Sequence, residues 1–256
     1  MNLGAGLDDK RILITGASSG LGAHFARISA RERAHIAIAA RRKDRLTDLA
    51  DELLELGAQS ACPIEMDVSD GRSIEACRET AVEVLGGLDV LVNNAGVARE
   101  GPALDQTEED FDAVMDVNLK GVWLMANSCG RYWRDAGCPG AILNIASVLG
   151  ERVSKGVASY AVSKAGVIQM TKALALEFAR YGIRVNALAP GYFQTEINEG
   201  FFDTEAGHKM LSRVPMRRTG DLSDLDGPFL LLASDASRYM TGAIVPVDGG
   251  HLVTSI

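Results

Sequence analysis

The stretch Arg11-Ile12-Leu13-Ile14-Thr15-Gly16-Ala17-Ser18-Ser19-Gly20-Leu21-Gly22 joins a short β-branched run to a glycine-rich turn, and a helical pattern from Ala23 to Arg33 follows. Apolar β-branched residues favour a strand, and glycines allow turn conformations that other residues avoid. The stretch therefore predicts a strand, a glycine loop and a helix, in that order.

The same alternation of strand and helix continues along the whole chain. The pattern predicts further strands at 35–40, 60–66, 88–92, 141–146, 184–188 and 243–247, and helices at 43–56, 72–85, within 108–134, at 157–181 and near 222–233. Near-continuous apolar strands between amphipathic helices are typical of a parallel sheet covered on both faces. Because no linker or repeat divides the chain, we expect one domain over residues 1–256. The segment 196–219 has no clear periodicity, and long irregular insertions of this kind are typically lids.

Composition excludes several classes of partner. The 256 residues carry a net charge of −8, which argues against a surface that binds nucleic acid. No C-x-x-C spacing occurs among the four cysteines, so neither a disulfide framework nor a zinc site is indicated. No run of eighteen apolar residues is present, and the first ten residues do not resemble a signal peptide. We expect a protein without metal, nucleic-acid or membrane partners, located in the cytoplasm.

The glycine loop Gly16 to Gly22 has chemistry suited to a pyrophosphate. Glycines let the backbone approach phosphates closely, and the following helix presents free N–H groups and its positive dipole end. The spacing is G-x-x-x-G-x-G, which differs from the G-x-G-x-x-G of the common dinucleotide fingerprint. A plain tight turn would show the same glycines, so the loop alone does not decide between the two.

Basic residues follow the second predicted strand. Arg41, Arg42 and Lys43 stand where a site that prefers NAD usually places an acidic residue for the ribose 2′-hydroxyl. They lie at the beginning of a predicted helix, where the helix dipole disfavours cations, and a bound 2′-phosphate would resolve that mismatch. The pattern favours NADP. NAD remains open, because Asp44 partly offsets the charge and such runs are often only surface.

Tyr160, Lys164 and Ser147 can form an acid–base site. Positions i and i+4 share a helix face, so the Tyr160 phenol and the Lys164 ammonium are expected to be neighbours. A nearby positive charge lowers the pKa of a phenol, so we expect Tyr160 to exchange a proton near neutral pH. Surface helices also carry such pairs without function. The position of Ser147, directly after the predicted strand 141–146, favours the catalytic interpretation.

Taken together, these motifs resemble those of the short-chain dehydrogenase/reductase family, from about Lys10 to the end of the chain. The resemblance rests on the glycine loop, Asn93-Asn94-Ala95-Gly96, Asn118, Ser147, Tyr160-Ala161-Val162-Ser163-Lys164, Pro190-Gly191 and Val247-Asp248-Gly249-Gly250. It implies an α/β fold of Rossmann-like, doubly wound type, with a seven-stranded parallel sheet and helices on both faces. It also implies a nicotinamide cofactor and no metal in the chemistry.

The resemblance assigns catalytic roles to four residues. Tyr160 would be the general acid or base, and Lys164 would lower its pKa and contact the nicotinamide ribose. Ser147 would polarise the substrate carbonyl. Asn118 would hold a water that connects Lys164 to solvent. A merely structural hydrogen bond of an asparagine inside a helix is the alternative explanation for this residue.

The resemblance also implies which positions of this sequence contact the cofactor. The matching positions, together with Tyr160 and Lys164, are Gly16, Ser18, Ser19, Gly20, Leu21, Arg41, Arg42, Asp67, Val68, Asn94, Ala95, Gly96, Pro190, Gly191, Phe193 and Thr195. Many NADP-using relatives have a basic residue where this chain has Ser19. The preference for NADP therefore depends on Arg41 and Arg42.

The substrate is expected to be a small molecule with a ketone or secondary alcohol. The residues expected to face it are mainly apolar: Val97, Ala98, Arg99, Leu149, Val153, Tyr192, Phe201 and Phe202. A 3-oxoacyl thioester is the leading expectation, and polyol, sugar or hydroxysteroid dehydrogenation remains open. Phe201 and Phe202 could instead pack the lid against the body. A catalytically idle NADP(H)-binding sensor or scaffold is the alternative of another class, and the resemblance implies a homotetramer or homodimer.

Overall fold

A computed structural model describes residues 6–194 and 200–254. Seven parallel strands form one sheet in the order β3-β2-β1-β4-β5-β6-β7. The strands are β1 Arg11–Thr15, β2 His35–Ala40, β3 Ser60–Glu65, β4 Val90–Asn93, β5 Gly140–Ile145, β6 Ile183–Pro190 and β7 Ile244–Val247. The strand order reverses between β1 and β4, as it does in doubly wound folds. The predicted Rossmann-like fold is confirmed.

Helices connect the strands along the described chain. The α-helices are α1 Gly20–Arg31, α2 Lys43–Glu55, α3 Gly71–Leu85, α4 Glu108–Met115, α5 Gly121–Ala136, α6 Ala158–Phe178, α7 Glu205–Leu211 and α8 Asp226–Ala233. A π-helical turn, Asp116–Lys120, joins α4 to α5. In the described part of the chain no helix combines the length and apolar character that crossing a membrane requires.

Both faces of the sheet are buried because apolar side chains occur at successive positions of the central strands. Ile12 and Ile14 point into one core layer, together with residues of α1, α2 and α8. Leu13 points into the other layer, together with residues of α3, α5 and α6. Phe25 of α1 stacks on Phe229 of α8, with ring centroids 4.7 Å apart, which fixes these two helices against each other.

Two predictions need correction, one of a helix and one of an irregular segment. The predicted helix 157–181 ends as an α-helix at Phe178, because the chain tightens into a 3-10 turn, Ala179–Tyr181, before Gly182 adopts a left-handed conformation at φ 72°. The predicted irregular segment 196–219 contains α7. This helix begins where the Thr204 hydroxyl accepts a hydrogen bond from the Gly207 N–H. Its seven residues are too few to produce a visible periodicity.

Candidate active site

One cleft of about 1790 Å³ runs along the carboxyl ends of the strands. This edge of a doubly wound sheet, at the reversal of strand order, is where such folds bind ligands. All but two of the predicted catalytic and cofactor-binding residues line it: Gly16, Ser18, Ser19, Gly20, Leu21, Arg41, Arg42, Asp67, Val68, Asn94, Ala95, Gly96, Ser147, Tyr160, Lys164, Pro190, Gly191 and Phe193. Asn118 is not in its wall, and Thr195 lies outside the described residues.

The glycine loop is fixed by Asn94 and Thr15 at the ends of β4 and β1. The Asn94 amide donates to the carbonyls of Thr15 and Gly16, each at 3.1 Å. The Thr15 hydroxyl accepts from the backbone N–H groups of Asn94 and Ala95. Gly16 has a φ of +66°, and a side chain there would overlap Ala95. The loop and the segment after β4 therefore form one tightly packed wall.

The beginning of α1 presents its free N–H groups to the cleft. Ser19 occupies the N-cap position but its side chain makes no capping hydrogen bond, and the first turn of α1 contains no acidic residue. Donors without a partner at a helix N-terminus, beside the positive end of the helix dipole, form a site for an anionic phosphate. The donor set of this loop therefore fits the pyrophosphate of a dinucleotide.

Arg42 connects the basic stretch after β2 to the glycine loop. Its Nη2 donates to the Ser18 hydroxyl at 2.9 Å and to the Ser19 hydroxyl at 3.0 Å. The sequence predicts that Arg41 and Arg42 both contribute to the preference for NADP. Arg41 also lines the cleft, but it is Arg42 whose guanidinium reaches the loop.

Asp67 lies at the same end of the cleft, after β3. Its carboxylate accepts from the Ser69 hydroxyl at 2.7 Å and from the Ser69 N–H at 2.9 Å. These hydrogen bonds lower the pKa of Asp67, and the charge of Arg41 lowers it further. The carboxylate is therefore ionised and held in one orientation in the cleft wall.

Ser147 and Tyr160 meet at the opposite end of the cleft. Ser147 is buried, and its hydroxyl caps the turn Val148–Gly150 by accepting from the Leu149 N–H at 3.1 Å. Burial raises the pKa of the Tyr160 phenol, and a hydrogen bond with Ser147 partly offsets that rise. The expected lowering of this pKa by Lys164 is wrong, because burial, which disfavours the charged phenolate, has the largest effect on the phenol.

Lys164 lies beneath Tyr160 on α6. Its Nζ is 5.6 Å from the centre of the Tyr160 ring and donates to the Ile145 carbonyl at 2.7 Å. Burial lowers the pKa of Lys164 to about 8. An ammonium with its pKa so close to neutrality can give up and regain a proton, which its ordinary pKa would not allow.

Asn118 is fully buried in the π-helical turn behind this group. Its amide donates to the Val97 carbonyl at 2.9 Å and to the Ser163 hydroxyl at 3.1 Å, and its oxygen accepts from the Val97 N–H at 2.8 Å. The Ser163 hydroxyl donates to the Tyr160 carbonyl at 2.7 Å. The side chain thus connects the segment after β4 to the helix that carries Tyr160.

The substrate end of the cleft has a mainly apolar wall. Of the predicted residues, Val97, Ala98, Leu149, Tyr192, Phe201 and Phe202 line it. Val153 and Arg99 do not. Val153 is 89% exposed, and Arg99 lies 3.9 Å from Asp110 on the surface. Sequence reasoning missed Glu100, Pro102, Lys155 and Met210, which also line this end but belong to no motif.

Comparison with known proteins places the whole chain among dehydrogenases and reductases. A family model described as enoyl-(acyl carrier protein) reductase matches residues 16–251. The 3-oxoacyl-(acyl-carrier-protein) reductase FabG of Thermotoga maritima is 39% identical over 247 residues, which cover 96% of this chain and 99% of the relative.

Two solved structures extend the comparison to the fold. A short-chain type dehydrogenase/reductase from Mycobacterium marinum is 38% identical, with a TM-score of 0.92 and 98% of both chains covered. A gluconate 5-dehydrogenase from Burkholderia cenocepacia, in complex with NADP and tartrate, is 36% identical, with a TM-score of 0.94 and 100% of both chains covered.

The cleft, the Ser147–Tyr160–Lys164 group and the full-length matches agree with the resemblance seen in the motifs. The chain belongs to the short-chain dehydrogenase/reductase family of NAD(P)-dependent oxidoreductases.

Proposed function

We propose that this protein is an NADP(H)-dependent carbonyl reductase, or alcohol dehydrogenase in the reverse direction. The observation that carries the proposal is the single cleft that has the glycine loop and Arg42 at one end and Ser147, Tyr160 and Lys164 at the other. A phosphate-binding end and an acid–base end in one cleft are what hydride transfer to a carbonyl requires.

NADP is favoured over NAD by the charge at the adenosine end. Arg41 and Arg42 line the cleft beside Ser18, and Arg42 already donates to the serine hydroxyls of the loop. A guanidinium can bind a 2′-phosphate through two donors at once. The NADP bound to the gluconate 5-dehydrogenase gives independent support. Thr195 is proposed as a further contact of the cofactor.

The nicotinamide would supply the hydride, and the protein's own residues would handle the proton. We propose that Ser147 donates a hydrogen bond to the substrate oxygen, where negative charge develops. Tyr160 then gives its proton to the same oxygen. Its raised pKa keeps the phenol protonated at neutral pH, and the Lys164 ammonium below the ring stabilises the phenolate that forms. Asn118 holds α6 and the segment around Val97 in place, and its water-holding role remains a proposal.

For the substrate, we propose a 3-oxoacyl thioester. The apolar wall formed by Val97, Leu149, Tyr192, Phe201 and Phe202 suits an acyl chain, and the FabG relative is a reductase of this class. The segment around Phe201, within the proposed lid 196–219, would cover the acyl chain of the substrate. A polyol or sugar is the second candidate, supported by the gluconate 5-dehydrogenase and by the polar Ser154 and Thr204 in the same wall.

The test is a substrate panel with both cofactors. The purified protein is mixed with NADPH or NADH and a 3-oxoacyl thioester, a steroid ketone or a keto sugar, and loss of the reduced cofactor is followed by absorbance. The proposal expects turnover with NADPH and the thioester at the highest kcat/KM. Tight NADPH binding without turnover of any ketone would instead support the idle sensor, and faster turnover with NADH would refute the cofactor assignment.

We further propose a cytoplasmic homotetramer or homodimer. Phe111, Trp123, Val162 and Leu176 on α4, α5 and α6 are 43–83% exposed, and apolar side chains of this kind would be buried by a subunit interface along these helices. Small residues along α6 would also allow close packing between subunits. Ala165 and Ala173 are exposed and available for such packing, whereas Ser159, Ala161 and Ala175 are buried within the chain. The cysteines of the described residues are all free, as expected in a reducing compartment. Light scattering after size-exclusion chromatography tests the oligomeric state.

A further inference from the structure

A line of buried polar side chains connects β4, β5 and α6 behind the catalytic residues. Asn93 and Asn144 are register partners on the adjacent strands, and the Asn93 amide donates to Asn144 Oδ1 at 3.0 Å. The Asn144 amide donates to the Thr171 hydroxyl at 2.9 Å, and this hydroxyl donates to the Val167 carbonyl at 2.8 Å. All three side chains are at most 2% exposed. Buried groups of this kind are costly to leave without partners, so the line favours one relative placement of strand and helix.

The same helix is joined to the same strand by a second hydrogen bond. Lys164 and Thr171 are seven residues apart on α6, so they share one face and lie about 10 Å apart along the helix axis. Lys164 donates to the carbonyl of Ile145, and Thr171 accepts from the side chain of the preceding residue, Asn144. Two bonds from one helix face to successive strand residues fix both the rotation and the axial position of α6.

We propose that Thr171 is a positioning residue: through Asn144 it holds α6 against β5 so that the Lys164 ammonium keeps its hydrogen bond to the Ile145 carbonyl. This inference rests on the proposed function only where it predicts an effect of Thr171 substitutions on turnover. The hydrogen bond itself requires neither cofactor nor substrate.

The surroundings of Lys164 make its ionisation a direct measure of this bond. Tyr160, a titratable group on the same helix, has the centre of its ring 5.6 Å from the Lys164 nitrogen. The neighbouring groups from the other elements packed around it, Gly96, Asn118 and the Ile145 carbonyl, are neutral. A carbonyl acceptor favours the charged form of a lysine, whereas burial disfavours it. A longer bond to Ile145 therefore lowers the pKa of Lys164 further.

The test measures that pKa in the full-length, cofactor-free protein by NMR of ¹³Cε-labelled lysine, with the signal assigned from Lys164→Met. Thr171→Val removes the hydroxyl at nearly constant volume. It is expected to increase the acid dissociation constant of Lys164 at least about threefold, which is about half a pKa unit. Thr171→Ser keeps the hydroxyl and should restore the wild-type value.

Two controls separate positioning from general destabilisation. Thr80→Val removes the same kind of hydroxyl bond to a helix carbonyl, from Thr80 to Ala76, on the exposed side of α3. Ile74→Val removes one buried methyl group from α3, away from the cleft. Both should leave the pKa of Lys164 unchanged, whatever they do to Tm.

An unchanged Lys164 pKa in Thr171→Val, or a shifted one that Thr171→Ser fails to restore, would overturn the proposal. If Thr171→Val does not fold, Thr171→Ala takes its place, because the smaller side chain leaves room for a water at the Asn144 amide. The pKa of Lys164 is expected to fall in Thr171→Ala as well. In assays with substrate, Thr171→Val should lower kcat about three- to tenfold, with KM for NADPH within about twofold of wild type. If wild type turns over no ketone, the proposed function fails, while the titration still decides this inference.

Discussion

The Lys164 ammonium nitrogen lies 5.6 Å from the centre of the Tyr160 ring, while its hydrogen bond goes to the backbone of β5. The two groups are therefore close enough to interact electrostatically but are not bonded to each other. Burial acts on them in opposite directions: it raises the pKa of the phenol and lowers the pKa of the ammonium. At neutral pH the site holds a protonated phenol above a cation, the arrangement needed for proton donation to a carbonyl oxygen.

The pKa of Lys164 predicts how stability depends on pH. The folded-state pKa of about 8 is below the unfolded value of 10.5, so the unfolded chain binds more protons between these two pH values. The contribution of Lys164 to the free energy of unfolding therefore rises as the pH increases from about 8 to 10.5, by up to about 3 kcal/mol.

Lys164→Met removes this titration. Urea denaturation of wild type and Lys164→Met across this pH range gives the difference between their free energies of unfolding. Lys164→Met should be the more stable protein below pH 8, and its advantage should shrink above pH 8. A difference that is constant with pH would contradict the predicted shift.

Arg42→Ala tests the proposed 2′-phosphate contact. Removing a charge-assisted bond to phosphate should raise KM for NADPH about 10- to 100-fold and leave KM for NADH within about twofold. Arg41→Ala should change the preference in the same direction. Lys43→Ala, which removes an equal charge from the neighbouring residue, serves as the control. Steady-state kinetics with both cofactors check this, and an unchanged preference in the Arg41 and Arg42 variants would refute the NADP assignment.

Phe202 should contribute mainly to the stability of the fold, and Phe201 mainly to substrate binding. Phe202 is buried and packs edge-on against Tyr192, whereas Phe201 is 37% exposed in the cleft wall. Phe202→Ala should lower the free energy of unfolding by up to about 3 kcal/mol, and Phe201→Ala by less than about 0.5 kcal/mol. Phe201→Ala should instead raise KM for long-chain 3-oxoacyl substrates more than for short ones. Each variant is the control for the other, and equal effects on Tm would contradict the distinction.

The fold was predictable where local pattern and tertiary structure agree. The run from Arg11 through the glycine loop to α1 combines β-branched residues, obligatory glycines and an amphipathic helix, so every local preference indicates the same structure. Helix ends were less predictable. The turn Ala179–Tyr181 continues the helical pattern in sequence but tightens before Gly182, and the π-helical turn at Asn118 has no compositional signal.

The residues that line the candidate site were largely predictable from their motifs, but their contacts were not. Nothing in the sequence distinguishes Arg41 from Arg42, because which guanidinium reaches Ser18 depends on how the chain leaves β2. The Ile145 carbonyl that accepts from Lys164 is a backbone group that no motif reveals. The raised pKa of Tyr160 depends on burial, which is a property of the folded chain.

The most direct test of the central claim compares wild type with Tyr160→Phe in NADPH-dependent ketone reduction, with NADPH binding followed by fluorescence. Removing only the phenolic hydroxyl should lower kcat by at least about 100-fold, since general acid catalysis contributes on that scale, and should change the Kd for NADPH by less than about threefold. Retention of the full rate by Tyr160→Phe would contradict its role as the acid.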